Sequence, residues 1–405
     1  MKPIVRAGRM KPVHSDIRGP LFVEAMKRQK QGIDILKLNT GNPATFGFGL
    51  PDSIKNALIE HMQDGVGYCD FKGMPQARQA ICDYETSKGI KGITSDDVFI
   101  GNGVSEVVSF ALTPLLNDGD EVLVPSPSYS LWGNSVYLED GKPVFYTCDE
   151  QANWYPDIQD IRSKITDKTK AIVIINPNNP TGVLYPKELL LEIIQIARES
   201  GLLIFADEIY DRLVMDGKQH ISLASLTEDV PVITLNGLSK SHCLCGYRCG
   251  WMVISGPREL TEDYRQGIIQ LTSLRLCANT MAQIVIPAAL DDMETPASMV
   301  RPGGRIYEQR EATVRELEKI DGLSFVKNDA AFYVFPKLDV KKFNITNDKQ
   351  FAHDLLDVTN ILLVPGSGFD WKDPDHFRIV MLPQADVLSD AIRRMGTFLD
   401  GYKQK

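Results

Sequence analysis

The sequence predicts an α/β fold: a mostly parallel sheet in a large domain, with a smaller α+β domain assembled from both chain ends. Three observations predict it. Short apolar runs alternate with helical segments through the middle of the chain. One of these runs, Ala171 to Ile175, is apolar without interruption, as in a strand covered on both faces. The flanks also differ from the middle: loop-rich up to about residue 48, and helices with shorter strands from about Val285. A chain of 405 residues suffices for two or three ordinary domains. The expected division is 1–48 joining the small domain, 49–290 as the large domain, and 291–405 as the small C-terminal domain.

A helix is expected near Pro20 to Gln31. "DDVFI", Asp96 to Ile100, reads as a strand, and "GNGVSEVVSFALTPLL" turns on glycine into a helix. "EVLVPSP" is a second strand and "KAIVIINPNNPTG" begins with a third. "PKELLLEIIQIARESG" has apolar positions at helical spacing and ends at Gly201, a helix stop. "LLIFADE", "VITLNG" and "CGWMVIS" complete the central strands, and "FYVFPKL" and "HFRIVML" are strands of the C-terminal part.

Composition removes several function classes. A formal charge of −9 argues against general nucleic-acid binding, which needs a basic face. No stretch approaches about 18 uninterrupted apolar residues, so no membrane span is expected. The N-terminus "MKPIVRAGRMKPVHSDIRGP" lacks the apolar core of a signal peptide. Seven cysteines, an odd number, do not read as a secreted disulfide scaffold. A reducing, cytoplasmic setting is expected.

In open parallel sheets, ligands bind beyond the carboxyl ends of the strands. Unusual residues fall at those ends. Asn179 follows Ala171–Ile175; Asp207 and Tyr210 follow Leu202–Ala206; Lys240 follows "VITLNGLS"; Gly103, Val104 and Ser105 follow "VFI". Each alone has a plainer reading. Gly101 and Gly103 make a tight turn, and "GNGVSE" is not the dinucleotide fingerprint because Glu106 replaces the third glycine. Asn179 is turn chemistry, Asp207 a helix cap, Lys240 a solvated lysine. Together, in one domain, they support one chemistry. An amine such as Lys240 forms a Schiff base with an aldehyde cofactor. A carboxylate such as Asp207 keeps a pyridine nitrogen protonated. Asn179 and Tyr210 bond a ring hydroxyl, and Tyr129 in "PSPSYSLW" stacks on the ring. Gly103, Val104 and Ser105 at a helix N-terminus hold a phosphate, with Ser239 and Arg248.

"NPNNPTG", then "DEIY", then "GLSK" with an arginine eight residues past the lysine, resembles the class I aminotransferases, fold-type I pyridoxal-phosphate enzymes. The resemblance covers nearly the whole chain. "DIRGP", "NTGNP", "GYCDFKG", "LRLCAN", "PGGRIYEQR" and "HFRIVMLP" look closer still to the bacterial glutamate–pyruvate (alanine) branch. It implies pyridoxal 5'-phosphate as cofactor, with Lys240 as the Schiff-base lysine and proton shuttle and Asp207 on the pyridine nitrogen. Asn179 and Tyr210 are implied at the ring hydroxyl, Tyr129 above the ring, and Gly103, Val104, Ser105, Ser239 and Arg248 around the phosphate. Tyr68 resembles the tyrosine that reaches the neighbouring subunit's cofactor, implying a homodimer with shared sites. Arg378 looks like the clamp for the substrate α-carboxylate, with Gly41 and Asn179 beside it. One departure is visible: Gly237 stands where many relatives carry a serine that binds phosphate.

A metal site competes for the same segment, because His242, Cys243, Cys245 and Cys249 crowd together. Their spacing does not match the common paired zinc patterns, so no metal is expected. The cysteines are read as small packing residues and His242 as a loop residue. The expected reaction is transamination between alanine and 2-oxoglutarate. The alternatives are an aspartate or aromatic aminotransferase, a pyridoxal-phosphate β-lyase, or a non-catalytic regulator built on the same domain. Arg18, beside Gly19, is the expected mobile cation for the second carboxylate of glutamate.

Overall fold

The computed structural model describes residues 2–405. Its centre is an eight-stranded sheet of β1 (Val98–Asn102), β2 (Glu121–Ser126), β3 (Lys142–Asp149), β4 (Tyr155–Pro156), β5 (Thr169–Ile175), β6 (Leu203–Asp207), β7 (Val232–Gly237) and β8 (Cys249–Ser255). The spatial order is β1-β8-β7-β6-β5-β2-β3-β4. Neighbours from β7 through β3 are parallel. β8 runs against both β1 and β7, and β4 closes a hairpin with β3.

The unbroken apolar runs have a two-sided cause. Along β5, Ile172 and Ile174 face one core cluster while Ala171, Val173 and Ile175 face another. Likewise Ile204 and Ala206 of β6 face the first, and Phe205 the second. Period-two alternation survives, but both phases need apolar residues because helices cover both faces. The helix Lys187–Ser200 supplies Leu190, Ile193, Ile194 and Ala197 to one side. It stops at Gly201, whose φ of 66° is left-handed. The helix Val104–Leu112 supplies Val107, Val108, Ala111 and Leu112 to the other.

The chain ends meet. Leu36–Lys37 pairs in parallel with Ile361–Leu362, and Leu38 packs in a cluster whose other buried members lie within 317–399. The helices Arg305–Leu317 and Ala385–Leu399 lie against each other there. No single helix is long and apolar enough to cross a membrane.

Two strand expectations are corrected. The first central strand starts at Val98 rather than Asp96, because Ser95–Asp97 is a turn of 3-10 helix. Thr94 and Asp97 cap it reciprocally, which occupies the backbone groups a strand would need. "FYVFPKL" is two strands, not one. Tyr333–Val334 pairs with Phe377–Val380, whereas Lys337–Leu338 pairs with Leu323–Ser324. Pro336 lies between them and has no N–H to continue a ladder.

Candidate active site

The carboxyl ends of β5, β6 and β7 lie side by side, so the residues that follow them face one crevice. Lys240 sits in the short helix Leu238–Ser241, directly after β7. Its ammonium donates to the Gly41 carbonyl at 3.1 Å and lies 5.9 Å from the Phe332 ring centre. Burial opposes its charge, but the neighbouring Tyr333, Cys245 and Tyr129 outweigh it and hold its pKa above the ordinary lysine value.

Asp207 ends β6 and is buried. Trp132 Nε1 donates to its Oδ2 at 3.1 Å. Burial pushes this carboxyl up to about 6, and the Trp132 bond acts against that rise. A carboxylate left in that state gains from a cation placed beside it. Tyr210 and Tyr333 share a hydrogen bond between hydroxyls at 2.9 Å. A Cβ on Gly41 would run into the Tyr333 hydroxyl, so glycine is required for this close approach.

Arg378, in the strand Phe377–Val380, is fully buried. One Nη donates to Asn179 Oδ1 at 2.9 Å and the other to the Asn39 carbonyl. Its guanidinium is 4.6 Å from each of the Tyr333 and Phe369 ring centres. Burial lowers its pKa, and Nε has no hydrogen-bond partner among the described residues. A buried cation without a counter-charge is a receptor for a carboxylate.

The opposite end of the crevice suits an anion too. Gly103, at φ 87°, precedes the helix Val104–Leu112, and no side chain caps it. Arg248 hangs over this N-terminus, 3.4 Å from the Ser105 hydroxyl, and a Cβ on Gly103 would strike its guanidinium. Open N–H groups at a helix start beside an arginine make a phosphate cradle. Gly237 now has a physical reason: a Cβ there would sit 2.6 Å from the Cys249 carbonyl, so serine does not fit. Ser239 is half-buried beside Lys240, and its carbonyl accepts Cys245 Sγ at 3.0 Å.

The cluster thus gathers Gly41, Asn179, Asp207, Tyr210, Lys240 and Arg378, with Gly103, Val104, Ser105, Ser239 and Arg248 at the cradle. Tyr129 stands at the mouth, 38% exposed. Tyr68 is 85% exposed and Arg18 is exposed; among the described residues neither side chain bonds to the cluster. Three members were missed in the sequence: Trp132, Tyr333 and the Asn39 carbonyl. Trp132, one helical turn past Tyr129, carried the only hint. His242 lies in the turn that follows the Lys240 helix, a loop residue as the sequence suggests, and is buried there. Its Nε2 donates to the Asp292 carbonyl at 3.2 Å, and burial depresses it to about 4, so it is neutral. Cys243 and Cys249 are buried and Cys245 bonds the Ser239 carbonyl.

The family model for aminotransferase class I and II matches residues 33–394. The chain belongs to this family. Among class I and II aminotransferases it is 50% identical, over the full length of both chains, to the glutamate-pyruvate aminotransferase AlaA of Haemophilus influenzae. It is 45% identical to the alanine aminotransferase of Mycobacterium tuberculosis, over all of this chain and 94% of that one. Its structure superposes on an Escherichia coli aminotransferase with TM-score 0.98, 47% identity and full coverage of both chains. An alanine aminotransferase from Pyrococcus furiosus follows at TM-score 0.93 and 40% identity, covering 98% of this chain and all of that one.

Proposed function

We propose that this aminotransferase moves an amino group between L-alanine and 2-oxoglutarate, giving pyruvate and L-glutamate, with pyridoxal 5'-phosphate as cofactor. The end-to-end half identity to an enzyme named for that substrate pair carries the reading. The residues fit the cofactor: an anion cradle at Gly103–Ser105 and Arg248, and a buried Asp207 whose charge burial disfavours.

When bound, the cofactor supplies an aldehyde for the amino group and a ring that accepts the electron pair left as Cα loses its proton. Lys240 holds the aldehyde and then carries the proton at Cα. Asp207 keeps the ring nitrogen protonated, and Trp132 fixes its carboxylate. Tyr210 and Asn179 hold the ring hydroxyl, Tyr129 covers the ring, and Ser239 joins the phosphate cradle. Arg378 binds the α-carboxylate common to all four substrates, beside Gly41 and Asn179. Arg18, exposed and unbonded, swings to the second carboxylate of glutamate and away again for alanine. A fixed buried cation would leave alanine's methyl facing an unpaired charge.

The working unit in this reading is a homodimer. Tyr68 is exposed, as are the large apolar side chains Ile59, Met62, Val66, Leu274 and Leu276, the kind of surface a second subunit would cover. Its division is the one read from the sequence, 49–290 holding the cofactor and 1–48 with 291–405 forming the smaller part, in the cytoplasm. The test is a half-reaction. Alanine should convert the yellow enzyme to its colourless amine form with one pyruvate per site, and 2-oxoglutarate should restore the colour. Faster conversion by aspartate or tyrosine than by glutamate or alanine would overturn the substrate assignment.

A further inference from the structure

Beneath the site lies a second group of charges that the reaction above does not use. Lys88 is the residue that ends the helix Pro75–Ser87. Its ammonium is 2.6 Å from Glu85, 2.9 Å from Glu208 and 3.2 Å from Asp211, all three carboxylates being buried. Glu208, Asp211 and His220 approach one another as they would around a metal ion; here the Lys88 ammonium supplies the positive charge. Burying three carboxylates around one cation is tolerable only if every lone pair is used, and most are. Trp251 Nε1 donates to Glu85 at 3.2 Å. The Ser222 hydroxyl and the Leu223 N–H donate to Glu208 at 2.9 and 3.0 Å. The Tyr84 hydroxyl and Asn236 Nδ2 donate to Asp211 at 2.6 and 2.7 Å. Arg212, the nearest other cation, stacks on Tyr84 and donates to its hydroxyl at 3.1 Å, so the tyrosine stands between it and Asp211.

Two links run from this group to the site. Glu208 follows Asp207 in the chain, and its negative charge is among those that raise Asp207. Asp211 holds Asn236, whose Oδ1 in turn accepts the Gly237 N–H at 2.7 Å. That residue ends β7, three positions before Lys240. We propose that Lys88 is a positioning residue for the site, its ammonium offsetting Glu208 and Asp211 so that Asp207 keeps its charge and the end of β7 keeps its place. The proposal rests on the reading of Asp207 and Lys240 given above.

The titratable groups facing this cluster are few enough to control. The helix presents Tyr84 and Glu85, the latter pushed to about 7 by burial. The turn after β6 presents Glu208, Asp211 and Arg212. His220 is lowered by burial, and His242 faces Arg212 from the other side. Toward the site, Lys240 and Tyr210 face Asp207.

The experiment reads the visible band of the lysine-bound cofactor against pH in the holoenzyme, together with cofactor affinity and thermal stability. Lys88→Met leaves Glu208 and Asp211 uncompensated. The protonated form of the band is then favoured, and its midpoint should rise by about one pH unit, the scale of one nearby charge. Lys88→Arg should stay within a few tenths of a unit of wild type. Lys88→Met with Glu208→Gln should return most of the shift. Glu208→Gln alone should move the midpoint down, which decides the matter if Lys88→Met does not fold. A Lys88→Met enzyme that melts earlier yet titrates like wild type would overturn the proposal and leave Lys88 a structural residue. An unmoved midpoint in Glu208→Gln would overturn it as well. Failure of the underlying reading looks different: wild type would carry no cofactor on Lys240 after borohydride reduction.

Discussion

The floor of the site and its mouth are built on opposite principles. On the floor, Asp207, Tyr210 and Arg378 are buried and bonded to Trp132, Tyr333 and Asn179. At the mouth, Arg18, Tyr68 and Ser105 are exposed, and the first two bond to nothing in the cluster. The floor is preorganised within one chain, so its charges need no rearrangement when the reaction begins. The mouth is left for what arrives, whether substrate or a second subunit. Five experiments would break that contrast or sharpen it.

The largest effect is expected on the floor. Lys240→Ala should abolish turnover and the yellow colour, and mass spectrometry of borohydride-reduced wild type should find the cofactor on the Lys240 peptide alone. A cofactor on any other lysine would break the assignment. Next, Asp207→Ala removes the charge proposed to face the ring nitrogen. Turnover should drop by at least about 10²-fold, the low end for one buried electrostatic group; retention of most activity would contradict its role. The third experiment compares two arginines. Arg378→Ala should damage all four substrates, whereas Arg18→Ala should cost glutamate and 2-oxoglutarate about tenfold in kcat/KM, roughly 1.4 kcal/mol, and spare alanine and pyruvate. Equal losses for both pairs in the Arg18 variant would end the mobile-arginine idea.

The fourth asks whether the mouth belongs to two chains. Mixing Tyr68→Phe and Lys240→Ala subunits should yield hybrids with one intact site, seen as activity above the average of the parents. No gain despite proven subunit exchange would return Tyr68 to its own chain. The smallest effect lies behind Arg378, where Asp375 accepts the His376 Nδ1 hydrogen bond at 2.7 Å and the Trp371 indole at 3.0 Å. Burial opposes the charge of Asp375, but the His376 bond and charge outweigh it and lower its pKa to about 2. A depressed carboxylate stabilises the fold above its unfolded value of about 4 and loses that contribution as pH falls toward 2. Chemical denaturation of Asp375→Asn should therefore show a flatter loss of stability from pH 4 to 2, by about 1 kcal/mol. A slope equal to wild type would remove Asp375 from the account.

What the sequence disclosed follows the same contrast. The strand ends were legible because two-sided burial writes continuous apolar runs, and Asp207 and Lys240 interrupt or follow them. The aminotransferase resemblance added the roles. Tyr333 and the Asn39 carbonyl were not legible, and Trp132 only through its spacing from Tyr129, since they come from other elements and a lone aromatic looks like core. The reversed direction of β8 left no trace, because antiparallel and parallel strands buried on both faces share one composition. Pro336 was visible, yet its effect depended on which partner each half of "FYVFPKL" would find. Lys88 was hidden for the reason most lysines are passed over: nothing local says that three carboxylates surround it.

The hairpin of β7 and β8 has one further consequence. Lys240 and Arg248 lie on the single loop that joins its two strands, and the six-pair ladder from Val232↔Ser255 to Gly237↔Gly250 ties that loop at its base. Lys240 and Arg248 therefore share one short tether, and their mutual placement is a matter of loop entropy as well as of contacts. Gly246 is exposed, and a Cβ there would meet nothing. A circular permutant opened at Gly246 would keep every strand pairing while releasing that tether, and would measure what chain connectivity alone contributes to holding the two charges in register.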